Sequence, residues 1–343
     1  FIRDKHAKNK FPYEAAQFCL KQAGVKPEDV DIVAFPYGEI PLSTNARWHY
    51  AKRHWYAPDR ALDAIFNGNR LRRNRDKSLK LMADLGLTKA KFVPVEHHLA
   101  HASSAYHLSG FKEKTAIVGI DGKGEYATTF FGYGENGVIH KIKEFYDPDS
   151  LGGMYGAITE YLGFDMLDGE FKVMGMAPYG DASKYDLSKL ATFENGELRI
   201  NTEYVNVVGL RRYKENNRGH YFSPKLIEWL GPKRHGDEID DPYIHYAASV
   251  QALLEDIALK MIDYYLGDII KETGRIAMAG GVALNVKLNQ RIIAMPHVKE
   301  LFVQPASGDN GTSLGAATYA AHLAGDVIQP MQHAYLGPSF TSE

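Results

Sequence analysis

Cysteine is almost missing. Cys19 is the only one in 343 residues, so no intramolecular disulfide can form and a reduced, cytoplasmic setting is the expectation. In EAAQFCLKQAG it falls on the apolar side of an expected helix. Long hydrophobic runs are missing too: no stretch of about 18 apolar residues occurs, and the start of the chain has no basic-then-apolar leader pattern, so neither membrane spanning nor export is expected. There is no dominant charge, since 40 Lys and Arg against 42 Asp and Glu leave a formal net charge of −2. Composition therefore gives no general attraction for nucleic acid or an anionic membrane. The one dense basic run, Arg70, Arg72, Arg73, Arg75, Lys77 and Lys80, reads as a solvated helix face. Repeats of solenoid period and low-complexity tracts are also lacking.

What is there is an ordinary globular composition, 45% hydrophobic and 24% charged, on a chain longer than the roughly 250 to 300 residues that one core usually serves. Two lobes follow. Periodicity predicts a helix over 12–23 closed by Gly24, a strand over 30–36, helical spacing near 61–66 and 78–85, and a strand over 91–95. After Gly110 three strands follow one another at 115–121, 126–133 and 137–145. Helices are expected at 156–162 and 243–270, a strand at 275–279, a Gly-Gly turn with a short helix, a strand at 300–305 and a helix at 312–324. Three meandering strands followed by helix, strand, helix, strand, helix are the order of a ribonuclease-H-like lobe. The first half shows only the later part of that order, and the chain opens on Phe1 without methionine, so a trimmed beginning is expected.

The fold class is thus α/β, an actin-like ATPase fold of two ribonuclease-H-like lobes. The first covers residues 1–110 and is truncated at its N-terminus. The second covers 111–343 and carries an inserted subdomain at about 181–241. A nucleotide belongs in the cleft between such lobes, at the carboxyl ends of strands.

Four stretches can carry chemistry. In VEHHLAHASSAYH, His97 and His101 stand four apart and share a helix face, whereas His98 points elsewhere. Metal ligation and plain packing or capping compete for that pair. In IDGKGEYATT a strand ends on Asp121 and turns through Gly122 and Gly124, which suits a metal ligand, a phosphate-facing turn or an ordinary hairpin. In IAMAGGVALNVKLNQ, Gly280 and Gly281 lead from a strand to a helix start near Asn285, an anion-facing arrangement that is neither a GxGxxG nor a Walker A loop. In QPASGDNGTSLGAA, Asp309 and Asn310 open the last helix, where Asp309 either caps or faces the cleft. A softer candidate is LDGEFKVMGMAPYG, with Glu170 and Lys172 beside a turn at Gly175.

Taken together and in order, EHHLAHASSAYHLSGF, GIDGKGEYATTFFG, GEFKVMGMAPYG, MAGGVALNVKLNQ and QPASGDNGTSLGAA resemble the amino-terminal region of the NodU/CmcH-type O-carbamoyltransferases. KHAKNKFPYEAAQFCLKQAGV resembles the segment shortly after that family's start. The resemblance implies an actin-like, threonylcarbamoyl-transferase-like domain that moves a carbamoyl group to a hydroxyl of a small molecule or sugar. The donor it implies is carbamoyl-adenylate, made from carbamoyl phosphate and ATP by a YrdC-like domain that follows in the full protein. It further implies a divalent metal, usually Fe(II) with Mn or Zn as alternatives, held by His97, His101, Asp121 and Asp309. Gly122, Gly124, Gly280, Gly281, Asn285 and Asn310 would line the nucleotide site, and Glu170, Lys172 and Gly175 match the family stretch in type. His98 and Asp121 are the candidates for taking the hydroxyl proton. Two rivals share the fold: a transferase acting on tRNA, which calls for a basic surface that is lacking here, and a nucleotide-binding module without transferase activity.

Overall fold

The protein is described by a computed structural model covering residues 11–38, 44–66, 69–236 and 239–339, without the side chains of residues 44 and 69–74. Of the basic run, Arg70, Arg72 and Arg73 therefore lie outside the described side chains, while Arg75, Lys77 and Lys80 are exposed.

Helix α1 (Tyr13–Ala23) ends on Gly24 at φ 64°, a left-handed conformation that glycine adopts without penalty. Cys19 is exposed on it, contrary to the expectation of an apolar setting. The residues that pack are Ala16 and Leu20, against Met82, Leu85 and Leu87, and Cys19 falls on the margin of that stripe. Strands β1 (Ile32–Phe35) and β2 (Lys91–Pro94) pair in parallel, Ile32 beside Lys91. Between them run α2 (Thr44–Arg53), α3 (Pro58–Phe66) and α4 (Asn69–Asp84). Helix α5 (His97–Tyr106) follows β2 directly, and all its residues except Leu99 are buried.

The main sheet begins with β3 (Thr115–Ile120), β4 (Ala127–Glu135) and β5 (Val138–Tyr146), an antiparallel meander. Then come α6 (Leu151–Tyr161), capped by the Ser150 hydroxyl, and α7 (Glu170–Met176). Residues 181–241 hold two small hairpins, β6 (Ala191–Glu194) with β7 (Glu197–Ile200) and β8 (Lys214–Glu215) with β9 (Arg218–Gly219), and helix α8 (Pro224–Leu230). The 31-residue α9 (Tyr243–Thr273) leads to β10 (Arg275–Ala279), α10 (Val286–Ile293), β11 (Glu300–Val303) and α11 (Thr312–Leu323).

The sheet order is β11-β10-β3-β4-β5, with β10 parallel to β3 and β11 parallel to β10. That is the ribonuclease-H-like order. Strand β3 is buried at all six residues because helices cover both of its faces, which is why TAIVGI shows no polar alternation. The larger core joins β3 and β10 to α6 and α9 through Phe131, Met154, Ile158, Leu254, Met261 and Met278, all at 0 to 1% exposure. On the other face α5 and α11 pack so closely that a Cβ added at Gly315 would lie 1.8 Å from the Ala100 carbonyl oxygen. Helix α11 also touches β1, so the α5–α11 pair joins the small parallel sheet to the main one. Among the described residues no helix is long and apolar enough to cross a membrane.

Candidate metal centre

The α5–α11 pair brings the chemistry together. His97 opens α5 and His101 follows one turn later, and their Nε2 atoms are 3.1 Å apart. Asp121 directly follows β3, and its Oδ2 lies 3.4 Å from His97 Nε2 and 3.9 Å from His101 Nε2. Asp309 sits in the turn into α11, its Oδ1 at 3.4 and 3.9 Å from the same two atoms. One ligand atom from each residue thus lies within 4.8 Å of the others.

These separations fit an ion. Ligand atoms held roughly 2.0 to 2.2 Å from a metal stand about 3 to 4.4 Å from one another, and the separations of 3.1 to 3.9 Å between the imidazole nitrogens and from them to the carboxylate oxygens fall within that range. The donor set also fits in kind, because imidazole and carboxylate suit Fe, Mn and Zn alike.

Two of the four residues, His97 and Asp121, are held from behind. The His97 Nδ1 is 3.3 Å from the Pro36 carbonyl, so the proton of the neutral ring sits on Nδ1 and the Nε2 lone pair faces the cluster. Tyr37 stacks on the His97 ring with centroids 4.8 Å apart. Asp121 accepts a 2.9 Å hydrogen bond from the Gly281 N–H on Oδ1, which leaves Oδ2 for the histidines. The Ser150 hydroxyl bonds the carbonyls of Gly122 at 2.7 Å and Asp121 at 3.2 Å, fixing the turn.

Charge is concentrated in this small space. Burial pulls the His97 imidazole down, but hydrogen bonds to Asp121 and then Asp309 outweigh it and push the group up to about 10. Burial dominates at His101 and takes it down to about 4. Burial also acts on Asp121, yet the His97 hydrogen bond and the neighbouring imidazoles hold its carboxyl well below the usual range. Without an ion, one proton on His97 holds both carboxylates. A cation would replace it.

The other expected residues divide. His98 stays outside the cluster: it is 1% exposed, its Nε2 is 3.0 Å from the Ala127 carbonyl, and burial pushes it down to about 3. The glycines lie close by. A Cβ at Gly124 would come within 2.9 Å of the His97 side chain, and one at Gly281 within 2.8 Å of Asp121 Oδ1. Gly280 combines φ 96° with 2.3 Å to the Ile120 carbonyl oxygen, so only glycine fits, whereas Gly122 faces open space. Asn310 is exposed beside Asp309. Asn285 is 8% exposed and committed elsewhere, capping Leu288 N and exchanging two hydrogen bonds with Gln251.

Helix α7 carries Glu170, Lys172 and Gly175. Glu170 accepts from Leu167 N at 2.8 Å, Lys172 lies 5.5 Å from the Phe164 ring centroid, and a Cβ at Gly175 would meet nothing. Among the described residues, no hydrogen bond or ion pair joins these three to the cluster. Glu125, Ser150 and Tyr37 do support it, and sequence reasoning passed over them. Glu125 stands within the GKGEY turn whose glycines drew notice; Tyr37 has no local signal at all.

Comparison with known proteins gives the family. The family described as carbamoyltransferase N-terminus matches residues 1–318. An uncharacterized protein of Synechocystis sp. is 33% identical over 364 residues, covering 100% of this chain and 56% of that protein. The nodulation protein NolNO of Sinorhizobium fredii is 31% identical over 347 residues, covering 99% of this chain and 46% of NolNO. The chain thus spans about half the length of the curated relatives it matches. Among solved structures, full-length HypF in the phosphate- and nucleotide-bound form aligns with a TM-score of 0.41 at 16% identity, covering 71% of this chain and 45% of HypF. With a family match over 318 of its 343 residues, the chain belongs to the carbamoyltransferase N-terminal family.

Proposed function

We propose that this chain is the transfer domain of an O-carbamoyltransferase, with His97, His101, Asp121 and Asp309 holding a divalent metal, Fe(II) first and Mn or Zn as alternatives. The convergence of two imidazoles and two carboxylates on one point carries the reading. The donor is carbamoyl-adenylate, made from carbamoyl phosphate and ATP by a YrdC-like domain of the full protein, and the acceptor is a hydroxyl of a small molecule or sugar.

In the transfer, the acceptor oxygen bonds to the carbamoyl carbon, the bond from that carbon to the adenylate phosphate oxygen breaks, and AMP leaves with the electron pair while the hydroxyl proton goes to a base. A bound ion would act as a Lewis acid on a carbonyl or phosphate oxygen. The chain's own groups orient and exclude. Asp121 has one oxygen bonded to Gly281 and the other turned to the histidines, so it is a holder of charge. His98 is enclosed and its Nε2 bonds a backbone carbonyl. Asp309, 65% exposed at its side chain, is the member of the cluster open to an incoming substrate. The turn through Gly280 and Gly281, whose N–H groups bond the Ser307 carbonyl and Asp121 Oδ1, would lie alongside the nucleotide with no Cβ to hold it away.

We divide the molecule as a first lobe over 1–110 and a second over 111–343 with the insertion near 181–241, and we assign the acceptor to the cleft beside Asp309. The test is the full-length protein with ATP, carbamoyl phosphate and a panel of hydroxylated acceptors. AMP and pyrophosphate formed only when carbamoyl phosphate is present, with a carbamoylated product, is the expected result. Tight tRNA binding with modification of tRNA would overturn it in favour of the rival.

A further inference from the structure

One side chain outside the ligand set touches three separate parts of the centre. Glu125 lies four residues beyond Asp121, in the turn between β3 and β4. Its Oε1 accepts from the backbone N–H of His97 at 3.2 Å, and its Oε2 lies 3.4 Å from the same nitrogen. The same Oε1 accepts a short hydrogen bond from the N–H of Gly38. Gly38 follows Pro36, whose carbonyl meets His97 Nδ1, and Tyr37, which stacks on the His97 ring.

The consequences are physical. The first N–H groups of a helix have no partner within it, and a carboxylate placed there is favoured by the helix dipole. The Glu96 position before α5 provides no side-chain cap, so Glu125 does that work from the main sheet. The glycine before it lets the turn lie against His97, where a Cβ would come within 2.9 Å. The carboxylate of Glu125 therefore fixes where α5 begins, and so where His97 Nε2 stands relative to Asp121.

We infer that Glu125 is the positioning residue of the metal centre, a clamp that ties the loop after β1 and the start of α5 to the turn bearing Asp121. The inference rests on the reading of the four-residue cluster as a metal site. It predicts that metal affinity depends on an acceptor oxygen at this position more than on its charge, because one oxygen receives both N–H groups. Glu125→Gln keeps such an oxygen; Glu125→Ala removes it.

The experiment measures Co(II) and Fe(II) binding to purified protein by competition with a chromophoric chelator, and the visible spectrum of the Co(II) form. Loss of a group that orients a ligand typically weakens binding about 10- to 100-fold. That is the loss expected for Glu125→Ala, with altered Co(II) bands, while Glu125→Gln stays within about 3-fold of wild type. Equal affinity and an unchanged spectrum in Glu125→Ala would overturn the inference, as would equal losses in the two variants. If Glu125→Ala does not fold, as judged by circular dichroism, Glu125→Gln decides alone: wild-type-like bands support the clamp, and shifted bands with a loss beyond 10-fold refute it. Failure of the wild-type protein to bind either ion would instead sink the site reading itself.

Discussion

The two histidines of the cluster share a face and differ in state. His97 is raised to about 10 and His101 lowered to about 4, with their Nε2 atoms 3.1 Å apart, so the pair carries one proton across the range between those values. For the metal-free protein the sign follows. The unfolded imidazole titrates near 6.5, so the stability His97 contributes is complete below about 6.5 and is lost as pH rises through about 10. For His101, stability is present above about 6.5 and is lost as pH falls through about 4. An ion entering at pH 8 must displace the shared proton. Calorimetric titration in buffers of different ionisation enthalpy should count about one proton released per ion, and a count of zero would contradict the arrangement. His98 makes the contrasting case. Its ring donates to the buried Ala127 carbonyl, so His98→Ala should cost about 1 to 3 kcal/mol of stability in chemical denaturation and leave the metal content unchanged. The spacing of His97 and His101 was legible in the chain, because four residues is one helical turn. That His98 would be sealed was not legible, since it depends on β4 closing over it.

At the scale of elements, the packing of α5 on α11 sets the distance between the histidines and Asp309. Gly315 meets the backbone of Ala100, where a Cβ would stand 1.8 Å from the carbonyl oxygen, so no side-chain rotation can relieve an added methyl group. Gly315→Ala should therefore part the two helices, cost about 1 to 3 kcal/mol or more, and weaken metal binding because Asp309 moves with the start of α11. Denaturant unfolding and chelator competition read both effects together; a loss of stability with full metal affinity would show that the helix contact does not position the site. Buried β3 and the long α9 were readable from their apolar runs. Helix α2 was not, because TNARWHYAKR is mostly polar, with only Ala46, Tyr50 and Ala51 buried among its described residues, and is held by tertiary contacts: Arg47 bonds the Ala64 carbonyl, and His49 and Arg53 bond the buried Asp149. Asn285 shows the same limit in another form. A polar residue at a helix start reads equally as a ligand contact and as a cap, and here its bonds to Leu288 and Gln251 make it a cap.

For the whole molecule, the four residues of the cluster come from α5, the turn into α11 and the end of β3, and the α5–α11 pair joins the small parallel sheet to the main one. An ion there should stabilise the folded chain as a unit, by about 2.7 kcal/mol at a free concentration of 100 times its Kd, and thermal unfolding with and without a chelator would register that difference. The order of strands in the main sheet was legible because meander and crossover patterns follow from strand spacing and turn glycines. What could not be read was the support behind the ligands, since Glu125, Tyr37 and Pro36 reach His97 across 28 to 61 residues of chain. The central claim is that these converging side chains hold a metal ion, and elemental analysis of the purified protein beside its His101→Ala and Asp309→Asn variants tests it most directly. One ion per chain in the wild type, falling below about a tenth in His101→Ala and clearly reduced in Asp309→Asn, is the result this account predicts. No bound ion in the wild type, or equal content in all three proteins, would contradict it.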